Sequence, residues 1–535
     1  MGCFIGRLCA GNFQLSIVKN NKNQGGCKKM SYQEIYKKWC TDPYFDAQTQ
    51  EELKKLEGNE KEIEDRFYRQ LEFAREATLC LNANGIHTYL FESLRPTPEL
   101  SFAVRELGCI AGIVITASHN PREYNGYKVY WEDGAQITPP HDKNILAEVA
   151  KVTDFSMVKT MEEDEARAEN LFSIIGTDFD DKYIAQLKKQ SIHPEAAKDM
   201  KIVYTPLHGT GNIPVRRVLR ELGFTQVYVV EEQKVPDGNF PTVPYPNPED
   251  KNAWTLALEF AKKVDADIIL ATDPDADRLG VHAKDTKTGE YVSFTGNMSG
   301  MLIAEYILRE RTKTGTMPEN PALVETIVTT DMAKAVAKEY NTALIEVLTG
   351  FKYIGEQIRL FDETGSHHYV FGLEESYGCL AGTYARDKDA PVAVMMLCEV
   401  AAYYKLQGKT LWDAMVELYE KYGYYKEDLA TVTLKGIDGS QKITAMMNAF
   451  RENPPKELGG FKVLACRDYK SDCRRDMITG ETTSNVLYYE LENNAWCCVR
   501  PSGTEPKIKY YFGVKGENFK DAEEKLEAIK KAMTE

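Results

Sequence analysis

Short apolar runs alternate with segments of helical period along most of this chain, and a chemically dense polar loop repeatedly stands directly behind an apolar run. That alternation restricts the chain to strand-helix grammar, in which a sheet presents the loops at its strand ends to ligands. Strands are expected at 87–91 and 110–116 with a helix at 103–107 between them. The pattern returns at 201–205, 215–222, 226–230, 254–262 and 267–272. It returns again at 322–328, 331–340, 343–347 and 369–371, then runs helical through residue 422. The last hundred residues mix strands and helices in an α+β manner.

At 535 residues the chain is too long for one hydrophobic core, so several domains are expected. We expect three successive α/β mixed-sheet units and a C-terminal α+β domain. The expected divisions are an N-terminal extension over 1–30, a first domain over 31–190, a second over 191–302, a third over 303–425 and a fourth over 426–535. Between Tyr32 and Asn82 the apolar residues Leu53, Leu56, Ile63, Phe67 and Leu71 are spaced for one buried helical face.

A formal net charge of -15 sets the surface against nucleic acid and anionic membranes, because binding either requires Lys and Arg in excess. An anionic substrate would need a local basic pocket. The 12 cysteines form no CxxC pair, which suits reduced thiols in the cytoplasm. No apolar run is long enough to span a bilayer, and no protein partner is evident. Gly6 stands where a myristoylation signal requires Ser or Thr. Residues 1–30 read unlike the rest, and Met30 is the expected true start.

Four loops carry candidate chemistry. The first is Thr116-Ala117-Ser118-His119-Asn120-Pro121, where Asn-Pro forces a turn immediately behind a strand and leaves Ser118 exposed at its carboxyl end. The second, Asp273-Pro274-Asp275-Ala276-Asp277-Arg278, alternates three carboxylates that can converge on one hard cation such as Mg2+. An EF-hand is excluded, since Arg278 and Lys284 stand where its Gly and Glu belong. A dehalogenase-type phosphotransferase is disfavoured by Asp277 at its Thr or Val position.

The third loop, 372–378, holds Glu374, Glu375 and Ser376 between two glycines, and is followed by Arg386-Asp387-Lys388-Asp389. Carboxylates and a hydroxyl suit sugar hydroxyls, and a partly desolvated lysine can move a proton. The fourth, Arg500-Pro501-Ser502-Gly503-Thr504, is followed by Lys507 and Lys509 and forms an oxyanion cradle. The proline-rich segment 235–250 is expected to be an ordered loop on the active-site side. Gly209-Thr210-Gly211 imitates a dinucleotide fingerprint, but Pro214 occupies the third glycine position.

In this order the four loops resemble those of the α-D-phosphohexomutases, and the chain is similar to their phosphoglucomutase/phosphomannomutase branch from about Ser31 onward. The resemblance implies four domains around a central cleft and interconversion of glucose 1-phosphate and glucose 6-phosphate through a phosphoserine and a bisphosphate. It implies Ser118 as phosphoserine, with Asp273, Asp275 and Asp277 holding Mg2+ together with the seryl phosphate. Arg278 would lie near the transferring group, and Lys128 and Lys388 would serve as general acid and base. Substrate would be bound by His119, Glu374, Ser376, Arg500, Ser502, Gly503, Thr504 and Lys509, with glucose 1,6-bisphosphate as activator.

Mannose or pentose phosphates remain alternative substrates for the same fold, and a Mg2+-dependent phosphatase is a third reading. The chain departs from the branch in lacking its first-domain Gly-Thr-Gly-Gly-Leu-Arg-Gly type loop. That loss predicts an incomplete first sheet and weak or absent turnover, as in a catalytically impaired sugar-phosphate-binding paralogue.

Overall fold

The computed structural model describes residues 2–7, 37, 40, 54–55, 57, 69–122, 124–153, 155–196, 199–434, 437–471, 483–502 and 507–534. Leu53, Leu56, Ile63 and Phe67, Met30, and Gly503 and Thr504 of the fourth loop lie outside the described residues. Two compact units emerge: one comprises Met1–Pro194, Lys198–Gly280 and Gly382–Met396, the other chiefly Val281–Ala381 and Leu397–Glu535.

In the first unit, strands β1 (Gly2–Arg7), β2 (His87–Phe91), β3 (Ala111–Ile115), β4 (Tyr127–Trp131) and β5 (Phe172–Ile175) form one sheet in the order β4-β3-β1-β2-β5. The sheet that the sequence leads one to expect as incomplete is filled. Residues 2–7 pair antiparallel with both neighbours, Phe4 lying opposite Leu90 on one side and Ile113 on the other. A strand from the segment set apart as an extension thus sits between the two that the sequence identifies.

The helix expected over 103–107 begins earlier, at Thr97, and runs to Glu106. Pro96 caps it in extended geometry and Pro98 sits in its first turn, where a missing N–H costs no helical bond. These prolines start a helix here instead of breaking one.

The same unit contains β6 (Lys201–Thr205), β7 (Gln226–Val229) and β8 (Ile268–Thr272), with β6 parallel to both others. Every residue of β8 is buried, as suits a parallel strand covered on both faces.

In the second unit, Phe294 of β10 (Tyr291–Phe294) pairs antiparallel with Val281 of β9 (Leu279–Lys284). Strands β11 (Pro321–Thr326), β12 (Ala343–Val347), β13 (His368–Glu374) and β14 (Gly378–Ala381) form a sheet in the order β12-β11-β13-β14. The C-terminal sheet is six-stranded and antiparallel, ordered β15-β20-β19-β18-β17-β16. Its strands are β15 (Tyr424–Thr433), β16 (Glu457–Leu458), β17 (Phe461–Asp468), β18 (Leu487–Leu491), β19 (Ala495–Pro501) and β20 (Lys507–Gly516). Leu487, Tyr489, Val499, Phe512, Leu526 and Ile529 belong to the core between this sheet and its helices. Among the described residues no helix is long and apolar enough to cross a membrane.

Candidate active site

Ser118 follows β3 with a left-handed backbone, φ 52°, a conformation that costs a non-glycine residue about 1 kcal/mol or more and is common at functional sites. Its N–H donates to Thr116 Oγ1 at 2.8 Å, which holds the turn. The hydroxyl then stands 3.1 Å from His119 Nδ1 and 3.3 Å from Asp273 Oδ2. Burial, with Arg278 and the nearby lysines, pushes the His119 pKa down to about 2. The imidazole is therefore neutral, and the Ser118 hydroxyl donates to Asp273 Oδ2.

Behind β8 the carboxylate loop closes on itself. Asp273 Oδ1 accepts the N–H groups of Asp277 at 3.1 Å and Arg278 at 3.0 Å, while Ala276 takes the left-handed conformation at φ 52°. Asp273, Asp275 and Asp277 are at most 1% exposed, and one oxygen from each lies within 4.8 Å of the others. Burial and the two neighbouring carboxylates push the Asp273 pKa well above its usual range. Three buried acids at this separation call for compensating positive charge.

Lysines supply part of it. Lys128 Nζ is 3.0 Å from Asp275 Oδ2 and 3.6 Å from Asp277 Oδ2, and Lys388 Nζ is 3.0 Å from the latter oxygen. Burial alone would lower the Lys128 pKa, but Asp275 and Asp277 raise it above its ordinary value. Asp275 Oδ1 and Asp277 Oδ1 are buried without a hydrogen-bond partner. Carboxylate oxygens left over in this way fit a hard divalent cation such as Mg2+.

Neighbouring segments fix the site. Arg278 Nη1 donates to Glu249 Oε1 at 2.6 Å, and the Tyr245 ring packs edge-on against His119 at 6.0 Å. The proline-rich segment is thereby ordered along the site, as expected. Gly209 and Thr210 brace the carboxylate loop from behind: Thr210 donates from N and from Oγ1 to the Pro274 carbonyl at 2.8 and 3.0 Å. A Cβ on Gly209 would meet Pro274 Cα at 2.4 Å. In the dinucleotide lookalike Gly209 thus serves close backbone approach, and Gly211 makes room for the Thr272 and Tyr204 hydroxyls. Lys388 is steadied through Asp387, whose Oδ2 accepts from Tyr130 OH at 2.6 Å and whose Oδ1 lies 3.4 Å from the Lys388 ammonium. The neighbouring Asp389 accepts from Tyr183 and Tyr384 hydroxyls at 2.8 and 2.6 Å.

In the second unit the stretch over 372–378 proves to be a hairpin, with Glu374 opposite Gly378. Glu374 closes β13 and is 5% exposed, while Ser376 is half-buried in the turn. The turn is anchored by Thr326 Oγ1, which donates to Glu375 Oε2 at 3.2 Å. Burial and Glu374 push the Glu375 pKa up to about 7, and Lys509 works in the opposite sense. Arg500 and Lys509 face each other across β19 and β20, and Ser502 N–H donates to the Lys507 carbonyl at 2.8 Å. The second unit thus brings the Glu374–Ser376 turn and the Arg500–Lys509 hairpin to the same neighbourhood.

Ser118, His119, Lys128, Asp273, Asp275, Asp277, Arg278 and Lys388 meet in the first unit. Glu374, Ser376, Arg500, Ser502 and Lys509 belong to the second. The sequence reading names Asp387 only as an acid beside Lys388 and assigns no role to Glu249 or Tyr245, whose contacts reach across 29 and 126 positions as the Tyr130–Asp387 bond reaches across 257. It also passed over Thr97, whose Pro-Thr-Pro setting behind β2 was the available signal.

Family profiles described as phosphoglucomutase/phosphomannomutase alpha/beta/alpha domains I, II and III match residues 64–155, 181–287 and 295–422. Phosphoglucomutase of Staphylococcus aureus (strain bovine RF122 / ET3-1) is 38% identical over 465 residues, covering 86% of this chain and 82% of that protein. The Staphylococcus aureus (strain USA300) phosphoglucomutase is 37% identical over the same shares. In fold, the chain is similar to a putative phosphomannomutase from Thermus thermophilus, with a TM-score of 0.62 at 22% identity over 87% of each chain. It is also similar to the open form of pp63/parafusin from Paramecium, with a TM-score of 0.65 at 18% identity over 87% of this chain and 84% of that one.

Proposed function

Because this chain belongs to the phosphoglucomutase/phosphomannomutase family, we propose that it interconverts glucose 1-phosphate and glucose 6-phosphate through a phosphoseryl enzyme. The supporting observation is the convergence of Ser118 Oγ, three buried carboxylates and two lysines from separate stretches of sequence. Glucose is favoured over mannose or a pentose by the phosphoglucomutases at 37–38% identity.

Phosphoryl transfer depends more on positioning and charge neutralisation than on covalent chemistry. Ser118 carries the phosphoryl group and gives it to the free hydroxyl of the monophosphate, forming glucose 1,6-bisphosphate. The hydroxyl loses its proton and Ser118 Oγ regains one, with Lys128 and Lys388 as the base and acid. Ser118 then takes back the other phosphoryl group. Asp273, Asp275 and Asp277 would hold Mg2+, which neutralises charge on the seryl phosphate when bound. His119 Nδ1 lies within hydrogen-bond reach of the Ser118 hydroxyl, and Arg278 is held by Glu249 beside it.

Glu374 and Ser376 bind sugar hydroxyls, and Arg500, Ser502, Gly503, Thr504 and Lys509 grip the phosphate that is not being transferred. Glucose 1,6-bisphosphate primes the enzyme by phosphorylating Ser118. The absent arginine loop lowers the rate, while β1 preserves the sheet beneath Ser118. The four-domain division follows the four loops, and the cytoplasm is the proposed compartment. Incubation with glucose 1,6-bisphosphate and Mg2+ should add one phosphoryl group by intact mass, located on Ser118 and absent from Ser118→Ala. An unmodified wild-type protein contradicts the reading.

A further inference from the structure

Asp275 is held on one side only. Its Oδ2 accepts from Lys128 Nζ at 3.0 Å and from Thr97 Oγ1 at 3.1 Å, while its Oδ1 is buried with no hydrogen-bond partner. Thr97 makes a second contact, its N–H donating to the Asp275 carbonyl at 3.0 Å. The residue is fully buried and opens the helix Thr97–Glu106, so this N–H is one the helix itself leaves unsatisfied. The segment before it is rigid: Arg95 binds Asp180 through two hydrogen bonds of 2.7 and 2.8 Å, and Pro96 fixes the next backbone angle.

We infer that Thr97 is a positioning residue for cation binding, its hydroxyl fixing the Asp275 carboxylate so that Oδ1 is the oxygen offered to the metal. This rests on the reading of Asp273, Asp275 and Asp277 as a divalent-cation site. Two donors engage Oδ2, and rotation of the carboxylate would break both bonds. A hydrogen bond that orients a ligand typically changes metal affinity by about 10- to 100-fold when removed.

Thr97→Val deletes the hydroxyl while keeping shape and N–H, and Thr97→Ser restores it. Mn2+ binding followed by electron paramagnetic resonance, with Asp275→Asn alongside, gives a readout independent of turnover, and metal-free Tm reports the fold. Thr97→Val should weaken Mn2+ binding by about 10-fold, with Thr97→Ser near wild type and metal-free Tm little changed. Equal Mn2+ affinity in Thr97→Val and wild type, or a Thr97→Ser variant as weak as Thr97→Val, overturns the inference. If wild type binds no Mn2+ that Asp275→Asn loses, the cation-site reading itself fails, and the inference with it.

Discussion

The groups around Ser118 and the groups around Arg500 are mounted in opposite ways. Asp273, Asp275 and Asp277 are almost wholly buried, and the surrounding hydrogen bonds and ion pairs fix them before any substrate arrives. Arg500, Ser502 and Lys509 are half-buried at one end of an antiparallel hairpin. The contrast follows from the proposed chemistry. Charge developing on a transferring phosphoryl group is best met by dipoles and charges already in place. A sugar that must present each end in turn is better served by long side chains that can adjust their grip.

Four substitutions can break or sharpen that contrast. The largest effect is expected from Lys388→Ala, which should lower kcat by about 10²- to 10⁴-fold as loss of a proton-transfer group and leave KM nearly unchanged in steady-state assays. A change mainly in KM would place Lys388 with the gripping residues instead. Arg500→Lys should act in the other direction. Losing the planar fork that binds phosphate through two hydrogen bonds, at about 1.5–3 kcal/mol for a charge-assisted bond, should raise KM by roughly ten- to a hundredfold while sparing kcat. A kcat collapse with normal KM would erase the distinction between the two regions.

Gly209→Ala tests the rigidity of the first region directly. The added methyl group meets the Pro274 backbone, which has little room to yield, so a cost of about 1–3 kcal/mol is expected, seen as a lower Tm with weaker Mg2+ dependence of activity. An unchanged Tm would show that the carboxylate loop is free to shift. The smallest effect concerns Glu427, whose carboxylate accepts from Thr330 Oγ1 at 2.5 Å and Asn297 Nδ2 at 3.1 Å. Burial pushes its pKa up from 4.5 to about 7. The folded protein therefore favours its protonated form. Its stabilising contribution is fully present below pH 4.5 and is lost as pH rises through about 7, by proton linkage. Glu427→Gln should flatten the fall in Tm across that window, and an undiminished fall would rule this group out as its source.

The loops were legible where an apolar strand ran straight into an abrupt turn, as at Ser118 and Asp273. Local residues signal such turns, and the buried β8 reads directly as a strand. Thr97 left only its Pro-Thr-Pro setting behind β2 as a signal. Pro96 and Pro98 look like helix breakers until they are seen to occupy the helix cap and first turn, and the partner Asp275 lies 178 positions away. Glycines carried two different signals. Gly209 and Gly211 imitate a nucleotide loop, against which Pro214 already spoke, and serve close packing, whereas Gly372 and Gly378 suggested an irregular loop where paired strands form a hairpin. Pairing of residues 2–7 with residues 80 or more positions away leaves no local trace, so the completed sheet could only be seen in three dimensions.

The most direct test is conversion itself. Purified protein, Mg2+, a trace of glucose 1,6-bisphosphate and glucose 1-phosphate should yield glucose 6-phosphate, slowly, and Ser118→Ala should yield none. Release of inorganic phosphate without glucose 6-phosphate, or equal product from Ser118→Ala, would contradict the phosphoseryl mutase account.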